Sequence, residues 1–434
     1  MIKRTFSKNI LWIFLLVVAG LVSCKKEPVT PSKTSGTLDN TQINNQFYGL
    51  LKDWYLWYDK IPEVNPADYN DPGSLLDAVR YDSLDKWSYV TTQAEFNQYF
   101  NEGIFVGYGF RYGLYTDGSI RVVYLYKDSP LRDYGVKRGW KLLKVNGTTV
   151  NRNSDFVSLF GDNQAGVTNE FTFESPEGKQ ETFTAAKRQV KINTVLYADT
   201  VSAGNELAGH IVFEGFIGPS VPELDSAFQF FAGQHISDLI LDMRYNGGGS
   251  LGVALYLSSL IAGNKVGSQV FAKLENNDKH TDQNEIMKLD SLPNLLNINR
   301  IFILTSRGTA SASEMVVNCL KPYMDVKLIG DTTYGKPVGM YTFTMKGSDL
   351  AFVPICFRLL NADDQGNYFN GIPVDIPAMD DFARGFGDPK EAGFHAALYY
   401  IENGTAPPVQ QRGMINQKPL FNKVKGLQFV IGAV

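Results

Sequence analysis

The sequence predicts an α+β chain of several domains, on three observations. Between residues 41 and 102, apolar and aromatic side chains recur at helical spacing, with Phe47, Leu50, Leu51, Trp54, Tyr55 and Trp57 as the first stripe. Between 103 and 190, short strand-like runs alternate with glycine turns, the pattern of a small β domain. Between 191 and 402, buried-strand runs lead into small-residue turns and then into apolar helical segments, which is α/β patterning. A length of 434 residues allows about three domains. The apolar fraction, 44%, and the charged fraction, 20%, are ordinary for folded protein. A net charge of −4 gives no electrostatic case for nucleic acid as a partner.

Residues 1–24 read as a targeting segment. Lys3, Arg4 and Lys8 precede an apolar run from Ile10 to Val22, which is short for a membrane span. The run closes on LVSC, which resembles a bacterial lipobox. That resemblance implies that Cys24 becomes the lipidated first residue of the mature chain. The expected location is then the bacterial cell envelope, as a lipid-anchored membrane lipoprotein on the outer membrane or periplasmic face. An ordinary signal peptide or a transmembrane anchor is the alternative. Residues 25–40 are polar, carry two prolines and read as a flexible tether.

The 41–102 stretch is expected to be helical throughout, continuing through Leu75, Leu76, Val79, the segment DSLDKWSYV and Phe96 to Phe100. In 103–190, GIFVGYGFRY, Arg121 to Tyr126 and Leu142 to Val145 read as strands, and Asn146-Gly147 as a tight turn. Asp155 to Leu159 fits a short helix, with strands at Glu170 to Phe173 and Glu181 to Ala185. The GYGF loop with the later SP, Gly135, Gly139 and VNG series resembles a PDZ-like domain. By that resemblance Gly107, Tyr108, Gly109 and Phe110 form a loop whose amides take a peptide carboxylate, while the peptide adds a strand to the sheet edge. A fold that merely packs against its neighbour is the alternative.

In 191–402, strands are expected at Ala208 to Ile217, Ile236 to Met243, Ile301 to Leu304 and Val326 to Ile329. Helices are expected at Val221 to Phe231, Glu314 to Met324 and Lys390 to Tyr400, and two further strands at Tyr341 to Lys346 and Leu350 to Leu360. DMRYNGGG sits between a strand and an apolar helix, where glycine lets backbone N–H groups approach a ligand closely. The serine-rich turn Thr305 to Ser313 stands at a helix mouth, where free amides can hold an oxyanion beside an attacking hydroxyl. Lys336, 25 residues beyond Ser311 in a glycine-flanked loop, could return to that cleft as the base once burial lowers its pKa. GDTTYGK is not a phosphate-binding loop, because Pro337 stands where that motif needs Ser or Thr. Residues 403–434 form a tail with no assigned role.

SASE followed by GDTTYGK is similar to the serine–lysine pair of the C-terminal processing, or tail-specific, peptidases of family S41, and DMRYNGGG resembles that family's DLRxNxGG motif. The resemblance implies Ser311 as nucleophile, Lys336 as base, and the amides of Gly248 and Ala312 as the oxyanion hole. Ser306 and Ser313 become helix-start or turn residues, and Arg244 and Asn246 shape their turn. It implies a small helical N-terminal domain, a PDZ-like domain, and a crotonase-like, ClpP-like α/β catalytic domain. The implied activity is that of a serine endopeptidase of the cell envelope, cleaving unfolded or C-terminally exposed polypeptides through an acyl-enzyme with no cofactor. The segment Asn370 to Asp375 loosely resembles the family's closing motif and reads as structural.

One departure stands out. The family often has Gln four residues after the lysine, to orient the amine; here that position is Met340. A catalytically impaired protein that binds peptide tails, or an envelope adaptor, is therefore the alternative reading. A Ser-His-Asp mechanism would need one of His210, His235, His280 and His395 beside the serine, and His210 is the candidate. Cys319 and Cys356 lie in apolar surroundings and read as buried thiols, with a disulfide as the alternative in an oxidising envelope. No spacing suggests a metal site.

Overall fold

A computed structural model describes residues 38–408. Cys24 with its leader, the tether up to residue 37 and the tail from 409 onward lie outside the described residues. Among the described residues, no helix is long and apolar enough to cross a membrane.

A six-stranded sheet forms the centre. Val195–Ala203 pairs antiparallel with Glu206–Phe213; Asp238–Asp242, Arg300–Thr305, Asp325–Gly330 and Ile376–Pro377 follow in parallel. The middle strands are apolar on both faces, as parallel strands covered by helices must be. Leu239, Leu241, Ile301 and Ile303 point to one face, with the helices Ser220–Gln234, Leu251–Val266 and Ala312–Leu320. Ile240, Phe302 and Leu304 point to the other, against Ala392–Asn403. Glu391 caps that last helix by accepting from the Phe394 N–H at 2.8 Å.

A second sheet runs in the order Phe110–Leu114, Ile120–Leu125, Lys141–Val145, Thr168–Glu174 and Gln180–Ala186. It closes over an aromatic core of Tyr108, Phe110, Tyr112, Phe156, Phe160 and Phe171. Asn146 and Gly147 both take positive φ, 51° and 76°, as the expected tight turn requires.

The N-terminal stretch is not helical throughout. Helix Asn40–Trp54 begins on an Asp39 capping box and Pro72–Val79 on an Asp71 capping box, but Tyr89–Thr92 is a strand. It pairs antiparallel with Leu350–Val353, and no local periodicity could reveal so distant a partner. The helices likewise bury Phe47, Leu51 and Tyr55 against Val338, Phe352 and Ile355. The run Leu350 to Leu360, expected as one strand, is two: Pro354 separates Leu350–Val353 from Ile355–Leu360, and the halves join different sheets. Of Tyr341 to Lys346 only Phe343–Thr344 is a strand; a separate short strand, Val338–Met340, precedes the expected run and joins a different sheet.

Candidate active site

Three adjacent parallel strands deliver the candidate residues. Asp238–Asp242 ends in the DMRYNGGG run, Arg300–Thr305 in the serine turn, and Asp325–Gly330 in the lysine loop. Carboxyl ends of parallel neighbours lie together, so their loops share one rim. Hydrogen bonds stitch the loops to one another. Thr309 Oγ1 donates to the Met243 carbonyl at 2.8 Å, Ser313 Oγ to the Asn246 carbonyl at 2.9 Å, and the Tyr334 N–H to the Thr309 carbonyl at 2.9 Å. Ser306 Oγ donates to the Arg244 carbonyl, so Ser306 is a turn residue, while Ser313 lies in the first turn of helix Ala312–Leu320.

Ser311 stands at the mouth of helix Ala312–Leu320 with φ 57° and ψ −117°. A side chain rarely occupies that region, and holding it there costs roughly 1–3 kcal/mol. Gly248 lies against it. A Cβ added to Gly248 would fall 2.8 Å from Ser311 Cβ and 3.0 Å from the Ala312 nitrogen, at a φ of 104° that favours glycine. The structure thus brings Ser311, Ala312 and Gly248 together. As first residue of its helix, Ala312 has no intrahelical partner for its N–H. The Gly248 N–H donates to Asn246 Oδ1 at 2.9 Å, so that amide is already engaged.

Lys336 is buried, and burial pushes its pKa down to about 8 against the opposing pull of Asp85 and Glu314. Its Nζ sits 3.1 Å from Met340 Sδ. Met340 therefore meets the amine, but a thioether is a weak acceptor and does not replace a glutamine carbonyl. Trp87 covers the amine, its ring centre 5.9 Å from Nζ.

Sequence reasoning missed Glu314 as an organiser. This fully buried carboxylate accepts from the Ser311 N–H at 2.9 Å, the Gly335 N–H at 2.7 Å and the Lys336 N–H at 2.8 Å, and also from Thr333 Oγ1. It ties the serine turn to the lysine loop. Burial raises its pKa, and these hydrogen bonds oppose the rise. Its place three residues after Ser311 is a capping-box signal, but nothing local announces the second loop. Asn370 to Asp375 backs that loop: the Ile372 N–H donates to Thr333 Oγ1 at 2.7 Å, and the Leu328 N–H to Asp375 Oδ2 at 2.8 Å.

His210 does not join the site. It points to the sheet face opposite Ala312–Leu320, where its ring stacks on Phe394 with centroids 4.3 Å apart, and burial pushes its pKa down to about 4. Arg244 is buried in an ion cluster with Asp242 at 2.6 Å, Glu391 at 2.7 Å and Asp380 at 3.0 Å, which fixes the DMRYNGGG turn. Gly107 ends strand Ile104–Gly107 of a two-stranded sheet, Phe110 begins the second sheet, and Tyr108 and Gly109 link the two. The Tyr108 and Phe110 side chains are buried, and the strand that Phe110 starts is an edge of its sheet. Next to it, Arg111 Nη1 donates to the Tyr245 carbonyl at 3.1 Å, bridging to the turn that follows Asp238–Asp242 in the central sheet. Cys319 and Cys356 are free, buried thiols. No cluster of side chains that could hold a metal ion occurs among the described residues.

Residues 207–378 match the model of peptidase family S41, and residues 42–89 match the peptidase S41 N-terminal domain. The "Probable CtpA-like serine protease" of Staphylococcus haemolyticus is 26% identical over 380 residues, 84% of this chain and 72% of the relative. Its namesake in Staphylococcus aureus N315 is 29% identical over 348 residues, 77% and 67% of the two chains. A solved structure from Bacteroides fragilis NCTC 9343, assigned to the S41 proteases, shares the fold at a TM-score of 0.70 and 22% identity, covering 83% of this chain and 97% of that one. With the serine turn, the lysine loop and both matched segments in place, the chain belongs to peptidase family S41, as a serine-type peptidase of the C-terminal processing group.

Proposed function

We propose that this chain is an endopeptidase that cuts unfolded or C-terminally exposed polypeptides with a Ser311–Lys336 dyad. The observation that carries the reading is Glu314, whose carboxylate holds the backbone of both residues in one network. Lys336, as the free amine, takes the Ser311 proton. Ser311 attacks the scissile carbonyl, and the lysine returns the proton to the leaving amine; water then clears the acyl-enzyme. The oxyanion rests on the Ala312 N–H, joined by the Gly248 N–H when it exchanges Asn246 Oδ1 for the substrate oxygen. A PDZ-like domain around the open edge strand Phe110–Leu114 would receive the substrate's tail at Gly107 to Phe110. Lipidation at Cys24 would tether the enzyme in the envelope.

A tail-binding protein of impaired catalysis is the second reading, favoured by the engaged Gly248 amide and by Met340. Residues 25–434 incubated with unfolded casein, beside Ser311→Ala and Lys336→Ala, separate the two. We expect cleavage by the parent and none by either variant. Cleavage that survives Lys336→Ala would remove the dyad. An inert parent that still binds polypeptide tails would establish the second reading.

A further inference from the structure

Lys336 belongs to the catalytic sheet's loop, but what covers it comes from elsewhere. Asp85 is the hub of the segment 81–88. Its buried carboxylate accepts from Tyr55 Oη at 2.8 Å and from the Trp87 and Ser88 N–H groups at 2.9 Å each. Ser88 Oγ in turn accepts from the Ile355 N–H at 3.0 Å, pinning the segment to the strand beside the lysine loop. So held, the Trp87 indole lies over Lys336 Nζ and beside the Tyr334 ring, with centroids 6.3 Å apart.

We propose that Trp87 is a positioning residue for Lys336: its ring keeps water off Nζ, so that the N-terminal segment completes a base the catalytic sheet alone does not have. The inference rests on the dyad reading above. Two effects of the ring compete. An indole face attracts an ammonium ion, but the separation of 5.9 Å is at the outer edge of that interaction, about 6 Å. Displacing water from the amine favours the neutral form and prevails. The charged groups facing Nζ are Asp85 from the covering segment and Glu314 from the nucleophile helix; both favour the ammonium, so the depressed affinity for protons comes from dryness. Met340, from the following strand, does not ionise.

The test is the titration of the Lys336 side chain in protein carrying isotope-labelled lysine, followed by NMR and assigned with Lys336→Arg. Trp87→Ala and Trp87→Gln should raise the midpoint by about one unit or more, a tenfold gain in proton affinity, while Trp87→Phe stays near the parent. In parallel, kcat/KM of the Ala and Gln variants should fall about tenfold near neutral pH and recover above pH 10, because the amine returns when the solution is basic enough. A midpoint unmoved in both folded variants overturns the inference, as does a loss of kcat/KM equal at every pH. Failure of the dyad reading shows separately, as cleavage that survives Lys336→Ala, and the titration itself does not depend on cleavage.

Discussion

A lysine serves as a base after it has lost its own proton, and an exposed one keeps it up to about pH 10.4. Burial of Lys336 brings that point down to about 8. The sign follows: below pH 8 the ammonium dominates and cannot accept the Ser311 proton, and above it the amine is the majority form. We expect kcat/KM on a peptide substrate to rise with pH and reach half its plateau near pH 8. A profile flat from pH 6 to 10 would exclude Lys336 as the base. At the same scale, Glu314 explains how a strained serine stays in place. Its carboxylate receives the Ser311 N–H and three donors of the lysine loop, so the serine turn and the lysine loop share one anchor.

Among the elements, the glycine turn after Asp238–Asp242 carries the sharpest geometric demand. Gly248 has φ 104°, and a Cβ there would meet the Ala310 carbonyl at 2.8 Å. Gly248→Ala should push the turn off the serine and cost about 100-fold or more in kcat, the usual loss of an oxyanion donor. Circular dichroism should show the fold intact, and an unchanged kcat would remove Gly248 from the site. The central strands were legible because continuous apolar runs mark doubly covered strands, and the serine turn and the lysine loop because small residues follow those runs. Tyr89–Thr92 was hidden in an aromatic stretch that reads as helix, since its partner lies far along the chain. Val195–Ala203 was hidden because an edge strand with exposed positions carries no buried run. Trp87 and the second role of Glu314 are tertiary, so no local pattern encodes them.

Over the whole molecule, the N-terminal stretch behaves as part of the catalytic core. Val338, Phe352 and Ile355 are each 0% exposed, under cover that includes Phe47, whose ring centroid is 4.6 Å from that of Phe352. Baring three such side chains forfeits roughly 4.5–9 kcal/mol, at about 1.5–3 kcal/mol each. That is comparable to the whole stability of a domain, about 5–15 kcal/mol. A chain starting at Gln93 should therefore be insoluble or show no cooperative thermal unfolding. A soluble fragment with a sharp transition would show that the catalytic sheets fold alone.

The pairing of Tyr89–Thr92 with Leu350–Val353 also sets an order of events. Ser88 and the Ile355 amide that meets its side chain are 267 positions apart, so this joint closes after most of the chain has been made. Contacts at such separation form slowly, because the loop between them must be ordered first. A chain still emerging from synthesis would carry Ser311 and Lys336 but not yet the packing that seats Trp87 beside the amine. Proteolytic power would then arrive last in the life of each molecule, when its own backbone is already folded out of reach.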